Sequence, residues 1–289
     1  MDIIETIKRL TITSLMADDL FMGILVLKGG NALDIGYDLS NRGSLDIDFS
    51  MEKDFSEDEK QMIRNQAEGI LNQGFNQEGL QVFDVRFYDK PEIISDVVKD
   101  FWGGYRLEFK VIEQESFEKY KDNMANLRNY AIPIDAKSTK TFPVDISKYE
   151  YIQKKRAKDL TGTIIHIYSP EMIALEKLRA LCQQNPKYKE IIGSMSNKSR
   201  ARDFYDIHNL TTNFTFDLNS GENRKMCVAI FDAKKVPMDY LTELPEQYEL
   251  HRQSWPSVLN TISQKENVQD FDFYFGHVIK LARDLAKSL

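Results

Sequence analysis

The segment at residues 44–50, Ser-Leu-Asp-Ile-Asp-Phe-Ser, alternates strictly between polar and apolar side chains. Successive side chains of a β-strand point to opposite faces, so this pattern predicts a strand with one buried and one polar face. Asp46 and Asp48 then share the polar face and lie close together. Two neighbouring carboxylates repel each other unless a cation lies between them. The chain is therefore expected to build a sheet that displays a paired anionic site.

A divalent metal ion is the natural partner of this carboxylate pair. Carboxylate oxygens are the hard ligands that Mg²⁺ prefers, and the ion keeps positions open for water and substrate phosphates. An Asp-x-Asp pattern also occurs on ordinary surface strands, so the sequence around it has to support the interpretation. We predict that Asp46 and Asp48 bind Mg²⁺ or Mn²⁺.

The residues upstream predict a second part of the same site. Residues 23–28 are rich in β-forming side chains and end at Gly29 and Gly30, before a helical pattern at residues 31–37. A strand that enters a helix through glycines exposes backbone amides that can hold phosphate oxygens. Lys28, beside this turn, adds a compact positive charge. We predict that Lys28, Gly29 and Gly30 bind phosphate.

The remaining periodicities predict an α+β fold. Helices are predicted at residues 3–20 and 57–74, and alternating strands at residues 81–88, 105–112 and 141–147, the first two of them antiparallel. Ser169 and Pro170 are typical of an N-cap and a first helical residue, and the pattern is mainly helical from there on. We predict a mixed sheet with flanking helices in residues 1–167 and a mainly helical domain in residues 168–289.

Charge and hydrophobicity exclude several classes of protein. The net charge of −7 argues against a surface that binds nucleic acid throughout, although basic residues concentrate at residues 154–158 and 187–202. These segments are either RNA-binding patches or ordinary solvated faces. The longest apolar run is too short to cross a bilayer, and residues 1–5 lack the pattern of a secretory signal. We expect a cytoplasmic protein with no membrane partner.

Four motifs occur in order between residues 25 and 210. They are Lys28-Gly29-Gly30-Asn31-Ala32-Leu33, Arg42-Gly43-Ser44-Leu45-Asp46-Ile47-Asp48, Glu176-Lys177-Leu178-Arg179-Ala180-Leu181 and Arg200-Ala201-Arg202-Asp203-Phe204-Tyr205-Asp206-Ile207. With these motifs the chain resembles the AbiEii-type toxin branch of the polymerase-β-like nucleotidyltransferase superfamily.

The resemblance implies a metal-dependent enzyme that transfers a nucleotide from a nucleoside triphosphate. It further implies a toxin of a toxin–antitoxin or abortive-infection system, with a cognate antitoxin as partner and with tRNA as the acceptor in some relatives. Carried over by position, Arg42, Ser44 and Gly30 would contact phosphates. Lys177 and Asp203 would complete the catalytic site from the helical half.

A third carboxylate on a neighbouring strand usually completes such a site, as metal ligand or as general base. Asp145, within Pro-Val-Asp-Ile-Ser, precedes the Glu-Lys-Leu helix and fits the toxin branch better. Glu108 has the same alternation but stands between Arg106 and Lys110, which could simply pair with it. We favour Asp145 and keep Glu108 as the alternative.

Two other functions are compatible with the same residues. The chain could be a degenerate nucleotidyltransferase domain that only binds a nucleotide, RNA or a partner protein, although the intact Asp46 and Asp48 argue against this. It could also be a related transferase that modifies a protein or a small molecule.

Overall fold

The computed structural model describes residues 2–39, 46–135, 137–193, 197–262 and 268–289. Seven strands in these ranges form one mixed sheet in the order β3-β4-β5-β2-β1-β7-β6. The strands are β1 (Val26–Lys28), β2 (Ile47–Ser50), β3 (Leu80–Lys90), β4 (Gly104–Glu113), β5 (Phe142–Ser147), β6 (Arg156–Leu160) and β7 (Thr163–Ile167).

Helices precede, connect and follow these strands. They are α1 (Ile3–Met16), α2 (Asp19–Ile24), α3 (Gly29–Asn31), α4 (Glu57–Phe75), α5 (Gln114–Tyr120), α6 (Met124–Tyr130), α7 (Pro170–Cys182), α8 (Lys189–Ile192), α9 (Ala201–Asn213), α10 (Gly221–Asp232), α11 (Tyr240–Glu243), α12 (Tyr248–Arg252), α13 (Trp255–Leu259) and α14 (Phe271–Ser288). A π-helical turn, Ala32–Gly36, continues α3. The predicted α+β class with a mixed sheet and flanking helices is confirmed.

The short strands β1 and β2 occupy the middle of the sheet. They pair with each other antiparallel, while β2 pairs parallel with β5 and β1 pairs parallel with β7. Ile47 and Phe49 are buried as the alternation predicted, whereas Asp48 is only partly covered. The site residues therefore stand on central strands, where backbone pairing on both sides holds them firmly.

Helix α4 covers one face of the sheet and leaves the other face to the charged residues. Ser56 and Glu59 form a capping box at its start, which satisfies two of its free backbone amides. At its other end the Phe75 ring meets Phe109 of β4 edge-on. Since Phe109 and Arg106 are three residues apart on β4, they point to opposite faces, so Arg106 lies on the face away from α4.

The described part of the chain after β7 contains helices and their connections but no strand. Ser169 caps α7 through its side chain and Pro170 is the first residue of the helix, as predicted. Nearly every side chain of α7 is buried, and α9 packs on α14 through Phe204 against Phe271 and Phe275. One hydrophobic core runs through both halves. The division into two domains at residue 167 stays a prediction.

Several local predictions differ from the structure. The predicted opening helix is two helices, because Asp18 caps a new one with its side chain. The strand predicted at residues 23–28 comprises only Val26–Lys28. The hairpin β6–β7 was not predicted; its turn residues Thr161 and Gly162 both have positive φ, which suits a tight two-residue connection. None of the described helices combines the length and apolar character needed to cross a bilayer.

Candidate active site

Four charged residues form one row across the middle of the sheet. Lys28 of β1 is paired with Asp48 of β2, and Asp48 is paired with Asp145 of β5. Asp145 is paired in turn with Arg106 of β4. Neighbouring strands lie about 4.8 Å apart, so each residue in the row is next to the following one. The row has two carboxylates at its centre and a cation at each end.

Asp48 is the carboxylate in this row that has no side-chain partner among the described residues. Within the described residues its side chain accepts no hydrogen bond and forms no ion pair. Burial raises the pKa of Asp48 to about 6; Lys28 opposes the effect, and the carboxylates of Asp145 and Asp46 add to it. A carboxylate in this state gains strongly from a cation placed beside it.

Asp46 supplies the second half of the predicted metal pair. It is exposed at the start of β2, and its backbone carbonyl accepts a hydrogen bond of 2.6 Å from the Asn31 side chain. The described residues contain no group of three or more acidic, histidine or cysteine side chains gathered as a metal site. Two carboxylates with open positions nevertheless fit Mg²⁺, which usually binds one or two carboxylates together with water and phosphate.

Asp145, the favoured third carboxylate, lies beside Asp48, but its oxygens are already engaged. Arg106 binds them through two hydrogen bonds of 2.9 and 2.8 Å, and Lys90 donates at 2.9 Å. Burial alone would raise the pKa of Asp145, yet Arg106 and Lys90 hold it below its usual value. Glu108, the alternative, stands two residues beyond Arg106 on β4. It is paired with Pro143 and lies outside the cleft.

The glycine turn of the first motif lies against the carboxylates. Gly29 has φ +67°, and a Cβ atom there would lie 2.9 Å from Asp48 Oδ2. Gly30 follows in the short helix α3. Arg42 and Ser44, the other predicted phosphate contacts, lie outside the described residues.

Lys28, Asp48 and Asp145 border a cleft of about 560 Å³. Its lining combines residues of the sheet with residues of α7, the start of α9 and the segment after α10. The charged members are Lys28, Asp48, Lys90, Asp145, Glu150, Glu176, Arg179, Arg200 and Lys234. Five cations and four carboxylates thus face one space, which suits a ligand that carries several negative charges of its own.

The fully buried carboxylate of Glu150 organises three of these cations. Arg179 binds it with hydrogen bonds of 2.8 and 3.3 Å, while Lys28 and Lys234 lie 3.6 and 3.5 Å away. Burial opposes ionisation, but Arg179, Lys28 and Lys234 hold the pKa of Glu150 well below its usual value. Burial lowers the pKa of Lys234 to about 8. Sequence reasoning missed Glu150 and Lys234, since neither belongs to a recognisable motif.

Lys177 and Asp203 lie side by side but do not line the cleft. The Lys177 ammonium is buried, 2.8 Å from Asp203 and 2.9 Å from Asp206. Arg200 binds the other oxygen of Asp203 at 2.5 Å. The direct catalytic role of Lys177 and Asp203 stays a prediction. In the structure their ion pair joins α7 to α9. The neighbouring residues Glu176 and Arg200 line the cleft.

Comparison with known proteins identifies the family. The family model described as "Nucleotidyl transferase AbiEii toxin, Type IV TA system" matches residues 13–277. No curated protein matches the sequence.

Among solved structures, a candidate nucleotidyltransferase from H. pylori is 17% identical, with a TM-score of 0.46, and the match covers 98% of this chain and 93% of that one. JHP933 from Helicobacter pylori is 16% identical, with a TM-score of 0.48 and coverage of 99% and 93%. An antigenic nucleotidyltransferase-like protein from Paracoccidioides brasiliensis is 14% identical, with a TM-score of 0.37 and coverage of 84% and 92%. By its family match, the chain belongs to the AbiEii nucleotidyltransferase toxins of type IV toxin–antitoxin systems.

Proposed function

We propose that the cleft carries out metal-dependent transfer of a nucleotide from a nucleoside triphosphate to an RNA acceptor, with tRNA as the expected acceptor. The observation that carries the proposal is the carboxylate of Asp48, which has no side-chain partner among the described residues and stands in strand register between Lys28 and Asp145. A carboxylate pair beside a cleft that is lined by five cations suits a metal-bound triphosphate.

Asp46 and Asp48 would hold Mg²⁺ or Mn²⁺. The ion would neutralise phosphate charge and lower the pKa of the acceptor hydroxyl. Lys28 and Arg179 would bind the triphosphate oxygens. Asp145 is fixed by Arg106 and Lys90, and its lowered pKa suits a fixed anion better than a proton acceptor at neutral pH. The amides at Gly29 and Gly30 would add phosphate contacts beside Asp48.

Label transfer distinguishes this function from the alternatives. The purified protein would be incubated with each α-labelled nucleoside triphosphate, Mg²⁺ and total RNA, with Asp48→Asn as the control. Label in tRNA that disappears in the control supports the proposal. Label in protein would indicate a protein-modifying transferase, and no label with any triphosphate would indicate a binding module.

The same family membership makes a cognate antitoxin the expected protein partner. Expression of the chain without the antitoxin should then arrest growth, whereas Asp48→Asn should be harmless at equal protein level. An equally toxic Asp48→Asn variant would separate the toxicity from nucleotide transfer.

Two of the four cations at residues 154–158 are engaged by carboxylates, which reduces the charge that the segment offers to an RNA acceptor. Lys154 pairs with Glu222, and Arg156 pairs with Glu171 at 3.0 Å. Lys158 donates to the Gly36 carbonyl at 2.6 Å.

The last helix offers a better surface for RNA phosphates. Lys280, Arg283 and Lys287 of α14 border a groove of about 410 Å³, shared with the acidic Asp284. None of the three cations has an acidic partner within the described ranges. We therefore propose that the acceptor RNA binds along α14.

Charge reversal tests this surface. Replacing Lys280, Arg283 and Lys287 by Glu should reduce RNA labelling at physiological salt and weaken its salt dependence, because each phosphate contact releases counterions on binding. The matched control reverses three salt-paired surface lysines, Lys154, Lys187 and Lys235, and changes the net charge equally. Equal labelling by both triple variants would place the acceptor elsewhere.

A further inference from the structure

The cleft has an aromatic end as well as a charged one. Trp102 lines the cleft and is partly exposed, just before Gly103 and Gly104. Gly103 has φ +109°, which side-chain-bearing residues rarely adopt, and a Cβ at Gly104 would lie 2.0 Å from the Ile146 carbonyl oxygen. Both glycines are therefore required by the backbone, and neither carries a side chain that could cover the indole ring.

Strand register places this aromatic end relative to the charged row. Gly104 is paired with Ser147, whose hydroxyl accepts a hydrogen bond of 3.1 Å from Lys28. Arg106 and Asp145, two members of the charged row, are paired two residues further along the same strands, about 7 Å from the Gly104–Ser147 pair. Because Trp102 precedes Gly104, it lies on the opposite side of Ser147 from Arg106 and Asp145. The cleft thus holds Asp145 of that pair on one side of Ser147 and an indole ring, with the Lys234 ammonium beside it, on the other.

The indole ring is held in place by its neighbours. Lys234 Nζ lies 5.9 Å from the centre of the ring, and the Tyr188 ring packs against it at 6.3 Å. Lys234 also donates hydrogen bonds to the carbonyls of Phe101 and Lys148, on the two chain segments that meet beside Trp102. A fixed ring loses little conformational freedom when a flat ligand stacks on it.

We propose that Trp102 is the stacking platform for the nucleobase of the bound nucleoside triphosphate. The proposal rests on the proposed function, since it assigns the other end of the same ligand. The triphosphate lies among Lys28, Arg179 and Lys234, and the base stacks on the indole. Every base has a π-face, so this contact adds affinity for all four nucleotides.

The test compares ligands with and without a base. Binding of each nucleoside triphosphate and of inorganic tripolyphosphate is measured by calorimetry with Mg²⁺ for the wild-type protein, Trp102→Leu and Trp102→Phe. Loss of a base–aromatic stack should weaken nucleoside triphosphate binding about tenfold in Trp102→Leu. Tripolyphosphate binding should stay unchanged, and Trp102→Phe should retain most of the affinity for nucleoside triphosphates.

A second readout uses fluorescence. The chain contains two tryptophans, and the other, Trp255, is buried among aromatic rings. In a Trp255→Phe background, nucleoside triphosphates should quench the Trp102 emission, whereas tripolyphosphate should compete for the site without quenching it.

The outcomes separate the two proposals. Unchanged affinity in Trp102→Leu, or an equal loss for nucleoside triphosphate and tripolyphosphate, would overturn the platform while triphosphate binding stands. If neither ligand binds the wild-type protein, the proposed function fails and the platform fails with it. Thermal unfolding of each variant checks that the fold is intact.

Discussion

The carboxylate of Asp48 occupies the space that a side chain at Gly29 would need. A Cβ atom at position 29 would stand 2.9 Å from Asp48 Oδ2, closer than ordinary contacts allow. Glycine is therefore favoured at this position for two reasons. Its backbone is left-handed, and a side chain would collide with the Asp48 carboxylate.

Gly29→Ala should therefore damage activity more than stability. The left-handed conformation costs an alanine about 1–2 kcal/mol, and the displaced carboxylate should lower kcat/KM by about 100-fold. Gly79→Ala is the matched control, because Gly79 has φ +69° but open space around its Cβ position. Both variants should lose similar stability in urea unfolding, and only Gly29→Ala should lose labelling activity. Equal activities would show that position 29 has room for a methyl group.

Asp48→Asn should stabilise the protein while abolishing activity. The pKa of Asp48 is about 6 in the folded protein, above the usual 3.8, so the ionised form opposes folding as pH rises through this range. Without divalent metal, Asp48→Asn should raise the unfolding free energy by up to about 3 kcal/mol at pH 7.5, with most of the gain lost near pH 4. Urea titrations at both pH values measure it. A variant less stable than wild type at pH 7.5 would contradict this account of Asp48.

Lys177→Ala should unfold the protein more readily. It leaves the buried carboxylate of Asp203 without its lysine partner, and breaking a buried pair costs about 3–5 kcal/mol. The melting temperature should fall sharply. Lys187→Ala, which removes an exposed pair with Glu243, should change it little. If Lys177→Ala keeps the wild-type melting temperature but loses activity, Lys177 acts directly in catalysis.

His251 should make folding sensitive to mild acid. The ring is fully buried; Nδ1 accepts a hydrogen bond from the Arg200 amide, and Nε2 faces Gln247 Oε1. Burial lowers the pKa of His251 to about 4, so its stabilising effect is complete above pH 6.5 and is lost as pH falls towards 4.

The measurement is the unfolding free energy between pH 7.5 and 4. Wild type should lose up to about 3 kcal/mol more over this range than His251→Asn, which keeps a hydrogen-bond acceptor but does not titrate. Parallel curves for the two proteins would show that His251 does not control this loss.

The parts of the site that could be predicted are those encoded by neighbouring residues. Alternation is enough to predict that Ile47 and Phe49 are buried and that Asp48 points to the opposite face, because side-chain direction in a strand repeats every two residues. The glycines after Lys28 and the cap at Ser169 are likewise local signals. The family match agrees with the resemblance carried by these motifs.

The remaining parts depend on pairing between distant segments. Glu150 matters because residues 28, 179 and 234 converge on it, and no local pattern reports that convergence. The basic character of residues 154–158 is visible in the sequence, but the pairing of Lys154 and Arg156 with Glu222 and Glu171 is not, because these carboxylates belong to other segments. The sequence motif that contains Lys177 is recognisable, but the burial of the Lys177 side chain cannot be read from that motif.

If the triphosphate binds as proposed, Glu150 would compete with its phosphates for the same three cations, Lys28, Arg179 and Lys234. When a triphosphate draws Arg179 and its neighbours towards itself, a carboxylate buried among them loses its compensation, and that state is unfavourable. On the same proposal, Glu150 would weaken the binding of the pyrophosphate product to these cations and so favour its release. A single buried carboxylate would in this way limit product affinity and sustain turnover.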